Sequence, residues 1–277
     1  PAVQAMIADE ASPDHLAAWY GVVMSAFDAG MVLGPLMGTR LVDHFHSYVP
    51  LFALSSALNL LATACLIPVA AHPPTRAAAP TLFGTNWRRH PVAARWIAFS
   101  ATFVLIQSLA FPFVVPYWRS VGRLPLETIG WLGSFTILTA TVAGPVWGWL
   151  AHRLGFIRSL GWGLALNALG WAILAFWPES ATADLISAAC RASEEGISTL
   201  AAAAIGRAVP RRRAGTAYGI LNWVNELARA MGPFPGGLLY RRRESFPFLL
   251  SGALTALLAW FFLDTLPPRW SEVHADT

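Results

Sequence analysis

From its first residue to its last, the chain alternates between long apolar stretches and short polar or basic ones. Eight stretches approach or exceed the roughly 20 apolar residues that a helix needs to cross a hydrocarbon core. They lie at about 17–39, 47–70, 93–117, 127–151, 157–177, 181–206, 214–239 and 246–266. Lipid offers the backbone no hydrogen-bond partner, so segments of this kind are helices or the strands of a closed barrel. Barrel strands alternate apolar and polar residues over about ten positions. These stretches are longer and do not alternate, so the pattern predicts an all-α polytopic membrane protein. Residues 1–8 have the character of the last turns of a further span.

The connections are of two kinds. Most are short, which favours antiparallel neighbours. The segment 71–92 is long, rich in Pro and Ala, and basic at its end, and it reads as a linker between two parts of a bundle. The predicted organisation is therefore 1–70 as the remnant of an N-terminal helical half with two full spans, 71–92 as a cytoplasmic linker, 93–266 as a complete six-helix half, and 267–277 as a cytoplasmic tail. Arg bias sets the orientation. An inside N-terminus puts eleven Arg on the inner side (76, 88, 89, 95, 153, 158, 207, 211, 212, 213, 269) and six outside (40, 119, 123, 241, 242, 243). The opening Pro1-Ala2-Val3-Gln4 carries neither a Met nor a basic leader, so residues ahead of it are expected.

Composition agrees with the pattern. Charged residues make up 12% of the 277, about half the soluble average of roughly 25%. Mean hydropathy is +0.51. The 13 Trp and 16 Phe suit lipid-facing and interfacial surface. All 19 basic residues are Arg, and they flank apolar spans, so the net charge of +4 does not point to nucleic acid. Cys65 and Cys190 fall inside predicted spans and read as small apolar residues. No phosphate-binding loop, Ser/His/Asp set or zinc-peptidase motif is present, so neither ATP hydrolysis by that route nor an enzyme is expected. Neither a cofactor nor a metal is expected.

One helix motif is used twice. Gly21, Gly30, Gly34, Pro35 and Gly38 recur, displaced by 198 residues, as Gly219, Ala228, Gly232, Pro233 and Gly236, with Gly237 following. Small residues four apart let helix backbones approach closely. A mid-helix Pro cannot donate its backbone hydrogen bond and kinks the helix. A single such motif signifies tight packing; two copies in matching membrane positions signify a duplicated half.

The first copy resembles the antiporter signature of the fifth helix of the major facilitator superfamily, with Thr39 standing where a further Gly is common. The run Gly144-Pro145-Val146-Trp147-Gly148 through His152, Arg153, Gly155 and Arg158 is similar to that family's loop motif between helices eight and nine, with His152 in place of the usual Asp. Arg211 through Gly219 is similar to the approach to helix eleven. The resemblance covers nearly the whole chain and implies a major facilitator-type bundle, with the eight spans as helices five to twelve of an expected twelve. It also implies a substrate site near the midplane between two halves that rock to give alternating access.

Ionisable residues within spans are expensive and usually face a cavity or a partner. Asp28 and Glu226 are repeat-equivalent and central in their spans. They are candidates for a cavity that binds protons or a cationic group; the alternative is local pairing, Glu226 with Arg229 one turn on and Asp28 with a neighbouring helix. In the sixth span Arg191 precedes Glu194 and Glu195 by three and four residues, which suits either local ion pairs or a transport role. Asp28, Arg191, Glu194, Glu195, Glu226 and Arg229 together carry two more acids than bases. Asn222 and Asn225 flank Glu226 and join the cavity candidates.

The expected function is secondary active transport of a small molecule, by proton-coupled efflux. The alternatives are an uptake symporter for a sugar or organic acid, or a transport-inactive truncated scaffold. The expected partners are the lipid bilayer, a small-molecule substrate and protons, with no nucleic acid. The full-length protein is expected to be a monomer, multi-pass in the cell membrane, that is, the bacterial cytoplasmic membrane.

Overall fold

A computed structural model of the protein describes residues 31–35, 37–70, 91–209 and 211–265. Asp28, Gly21 and Gly30 lie outside the described residues, as do nearly all of the 71–92 linker and the 267–277 tail. The described residues form helices and connecting turns. A helical run over 31–45, called α1, is interrupted in the description at residue 36. It is followed by α2 (Val49–Ala70), α3 (Pro91–Ala110), α4 (Val114–Ser120), α5 (Leu126–Leu154), α6 (Phe156–Phe176), α7 (Ala181–Arg191), α8 (Ser193–Ala208), α9 (Arg211–Met231), α10 (Pro233–Arg242) and α11 (Phe246–Trp260). α11 runs into a π-helical turn, Phe261–Thr265.

Four described stretches are long and apolar enough to cross a membrane as single spans: Pro91–Ser120, Leu126–Leu154, Phe156–Phe176 and Phe246–Leu263. The sixth and seventh predicted spans are each built from two helices. The first break falls at Ala192, where the Ser193 hydroxyl donates to the Cys190 carbonyl at 2.8 Å and to the Gly163 carbonyl of α6 at 2.9 Å. The second falls at Gly232, because Pro233 begins α10 without an N–H to continue the ladder. The stretch Pro91–Ser120 bends as well. A 3-10 turn at Phe111–Phe113 separates α3 from α4, with Pro112 and Pro116 on either side of the junction.

Two apolar clusters sit at opposite ends of α3. Towards its start, Trp96, Phe103, Leu160, Leu164, Ile197, Ile205 and Leu221 pack together, joining α3, α6, α8 and α9. The Trp96 ring meets Phe99 and Phe156 edge-on at 5.7 and 5.3 Å between centroids, a favoured arrangement for aromatic quadrupoles. Beyond the end of α3, Val114, Tyr117, Trp118, Leu132, Trp171, Leu174 and Phe248 form the second cluster, which brings in α4, α5 and α11. Tyr117 ties the end of α6 down by donating to the Ala175 carbonyl at 3.1 Å.

A polar layer lies between the clusters. Trp171 Nε1 donates to Gln107 Oε1 at 2.7 Å, and Gln107 Nε2 donates to Thr255 Oγ1 at 3.3 Å, so three helices meet at one buried amide. Ser251 of α11 donates to the Ile106 carbonyl at 2.8 Å. In lipid such bonds hold helices together where the hydrophobic effect gives no preference between neighbour and solvent.

A candidate intramembrane charge cluster

The small residues of the second repeat bring α9 and α10 against α3. A side chain at Gly232 would strike the side chain and backbone of Ser108, and one at Gly236 would strike the Leu109 carbonyl and the Phe113 ring. Ser108 also donates to the Ala228 carbonyl at 3.2 Å, so the Ala that replaces a repeat Gly lies in the same contact. Gly237 stands 3.6 Å from the Phe113 ring by the same measure. The first repeat sits differently. Among the described residues nothing lies within 4 Å of a side-chain position at Gly34, and Gly38 makes only ordinary contact, at 3.5 Å, with Leu51. Pro35 faces Gly133 of α5, Thr39 fills the space above Gly130, and Ser134 donates to the Val32 carbonyl at 2.7 Å. The tight surface where α1 meets α5 is therefore supplied by glycines of α5.

This packing fixes the seventh span beside the third and presents its polar residues along α9. Asn225 exchanges hydrogen bonds with Ser100 of α3, at 3.1 and 3.2 Å. Asn222 is half-buried. Glu226 and Arg229 pair at 2.9 Å, with side chains 68% and 59% exposed. The pair lies on the open face of α9 together with the exposed Trp223, Leu227 and Met231.

On the sixth span, Arg191 is 5% exposed. Its Nε donates to Ser187 Oγ at 3.3 Å and its guanidinium lies 4.8 Å over the Trp171 ring, while Nη2 has no hydrogen-bond partner among the described residues. Asn167 Nδ2 donates to the Arg191 carbonyl at 3.2 Å, holding the end of α7 against α6. The close approach depends on Gly170, since a side chain there would meet Arg191 Cγ at 2.7 Å. Glu194 lies within the fields of Arg191, Glu195 and Arg229, so the sixth and seventh spans share one electrostatic cluster. Glu195 is exposed.

Sequence reasoning passed over Asp184. It is fully buried on α7, one turn before Ser187 and two turns before Arg191. It stands only three residues into the predicted sixth span, away from the span centre where ionisable residues draw attention. The usable signal was the row Asp184, Ser187, Arg191, which sets polar side chains on one helix face at intervals of three and four.

The loop motif forms the junction of α5 and α6. Gly155 caps one helix and starts the other at φ 88°, ψ 150°, a region essentially reserved for glycine. Arg153 lies 4.3 Å over the Trp149 ring. Among the described residues Gly148 has no neighbour within 4 Å of a side-chain position, and His152 and Arg158 are exposed. Among the described residues no three His, Cys, Asp or Glu side chains gather as metal ligands would.

Helices of this length and apolarity, a doubled glycine-proline helix and ionisable groups set inside the bundle define a polytopic membrane protein of the transporter type. The sequence model of the Major Facilitator Superfamily matches residues 1–127 and, a second time, residues 97–277. The chain belongs to that family, which is one of transporters and not of enzymes. It is also similar to the "Multidrug resistance protein MdtG" of Escherichia coli strain 55989 / EAEC, with 30% identity over 185 residues, 64% of this chain and 43% of the relative. The proteins of the same name from E. coli O1:K1 / APEC and O139:H28 (strain E24377A / ETEC) match with the same identity and coverage. The aligned region spans less than half the length of these curated relatives.

Proposed function

We propose that the protein exports a small amphipathic or cationic molecule across a bacterial cytoplasmic membrane, driven by protons and working by alternating access as a monomer. The observation that carries this reading is the charge cluster of the sixth and seventh spans. Asp184, Arg191, Glu194, Glu195, Glu226 and Arg229 set four acids and two bases along these two spans, with Asp184 and Arg191 buried and Glu195, Glu226 and Arg229 on open faces. Ionisable groups at membrane depth mark ion and substrate pathways, and an excess of acids favours protons and cations. Export is supported by the resemblance of the glycine-proline helix to an antiporter signature and by the name that the MdtG relatives carry. Asp28, the repeat partner of Glu226, and the half-buried Asn222 are assigned to the same pathway. Rocking of the 93–266 half against the helices before the 71–92 linker supplies the motion, with Gly232, Pro233 and Gly236 holding the seventh span together as it moves.

The test is transport in everted vesicles containing the protein as its gene encodes it. Efflux predicts that a cationic dye accumulates when the vesicle interior is acidified, and that Glu226→Gln reduces this accumulation at least tenfold without changing the amount of folded protein. Dye uptake in right-side-out vesicles under an inward proton gradient would instead favour a symporter. No gradient-dependent movement in either geometry would favour a transport-inactive scaffold. Wild-type accumulation by Glu226→Gln would remove that carboxylate from the pathway.

A further inference from the structure

Asp184 is the one fully buried acid among the described residues. Neither carboxyl oxygen has a hydrogen-bond partner there. The indole N–H of Trp118 on α4 is turned towards this carboxyl as a donor at the margin of hydrogen-bond geometry, and it is buried with no other partner among the described residues. Two turns along the same helix is the unpartnered Nη2 of Arg191. Three orphaned polar groups of complementary character therefore share one seam between α4, α6 and α7. A lone buried carboxylate is strongly disfavoured, and the ordinary resolution is to bind a proton or to acquire a cation.

Among the described residues only one cation is in reach. The charged and titratable groups that act on the Asp184 carboxyl are Arg191 on its own helix and the Tyr117 phenol of α4, with none from α5 or α6; α8, which also packs on α7, brings Glu194, which acts on Arg191. Arg191 lies between two acids of its own span, Asp184 seven residues before it and Glu194 three after, and it feels both. In this conformation neither acid has captured it: Ser187 and the Trp171 face hold the guanidinium between them.

We propose that Asp184 is a proton-binding site and that Arg191 is the cation it shares with Glu194. With the proton bound, Asp184 is a neutral acid beside Trp118, and Arg191 is left to Glu194. When the carboxylic acid gives its proton to water entering the seam, the carboxylate takes Arg191 and Glu194 loses its counter-charge. The field at Glu194 then favours a cation from outside the span, either a proton or the neighbouring Arg229. This deepens the transport reading above and rests on it only for the purpose the proton serves.

Infrared spectroscopy of the lipid-reconstituted protein, as its gene encodes it, reads the site without any transport. At mildly acidic pH a protonated-carboxyl band is expected from Asp184, distinct from any band that Glu194→Gln removes. It should be lost in Asp184→Asn, moved in frequency in Asp184→Glu, and unchanged in Glu226→Gln. Removal of the shared cation by Arg191→Gln should raise the pH at which the band disappears by about one unit, a tenfold gain in proton affinity. A band that survives Asp184→Asn, or a titration midpoint unmoved by Arg191→Gln, overturns the proposal. Should the Asn variant fail to fold, Asp184→Glu decides: a band with no change in frequency belongs to another group. The band without proton-driven transport would sink the transport reading and leave this site standing; transport without the band would do the reverse.

Discussion

The two copies of the glycine-proline motif share residue types but not surroundings, and substitution by alanine separates them. At Gly236 a new methyl would press into the Leu109 carbonyl and come within 2.9 Å of Phe113 Cε2. At Gly232 it would lie 2.7 Å from Ser108 Cβ and 2.8 Å from the Ser108 carbonyl carbon. Backbone atoms of α3 cannot rotate away, so α10 must move outward, and overpacking of this kind costs about 1–3 kcal/mol. Displacement at Gly232 also endangers the Ser108 bond to Ala228, worth roughly 0.6 kcal/mol in a membrane bundle. At about 2–4 °C per kcal/mol for proteins of comparable size, the expected fall in melting temperature is between about 2 and 12 °C. At Gly34 the methyl meets none of the described residues within 4 Å, and at Gly38 it makes ordinary contact with Leu51. Alanine there should leave the melting temperature within about 2 °C, helped by the better helix propensity of Ala. Thermal denaturation followed by fluorescence-detected size exclusion, on all four variants, measures this directly. Equal effects at Gly34 and Gly232 would refute the argument that neighbours, and not the motif, decide which glycines are required.

Gln107→Leu should destabilise the bundle by roughly 1–2 kcal/mol, because the Trp171 indole N–H and the Thr255 hydroxyl lose their shared partner together; the same melting assay checks it, and an unchanged midpoint would count against the polar layer as a structural tie. Gly155→Ala forces a side chain into backbone that L-residues avoid, at about 1–3 kcal/mol. Faster proteolysis between α5 and α6 is the expected sign, and wild-type resistance would show that the turn relaxes without strain.

Much of the architecture can be read from apolar run length alone, because a bilayer imposes one thickness on every span. The predicted span at 47–70 appears as Val49–Ala70, and that at 157–177 as Phe156–Phe176. Breaks inside spans are legible only where they have a covalent cause. Pro233 announces the interruption at Gly232, whereas the one at Ala192 arises where Ser193 bonds Gly163 of another helix, a contact no local pattern encodes. The site follows the same division. Glu226 and Arg229 stand a turn apart, so their pairing is local and foreseeable. Asp184 becomes exceptional only once α4 and α6 close over it, and the sequence says nothing about which helices those are.

Gly155 is the whole connection between α5 and α6. A loop of several residues would let two spans slide past each other; a single residue leaves almost no slack. Since a helix advances 1.5 Å per residue, α5 and α6 are tethered at that end to within a few ångströms along their axes. Mechanically they form one stiff hairpin. A push delivered by α1 at Gly130 and Ser134 is then felt at α6, and through α6 at the helices lining the Asp184 seam. A connection of one residue thus joins the surface where α1 docks to the buried acid.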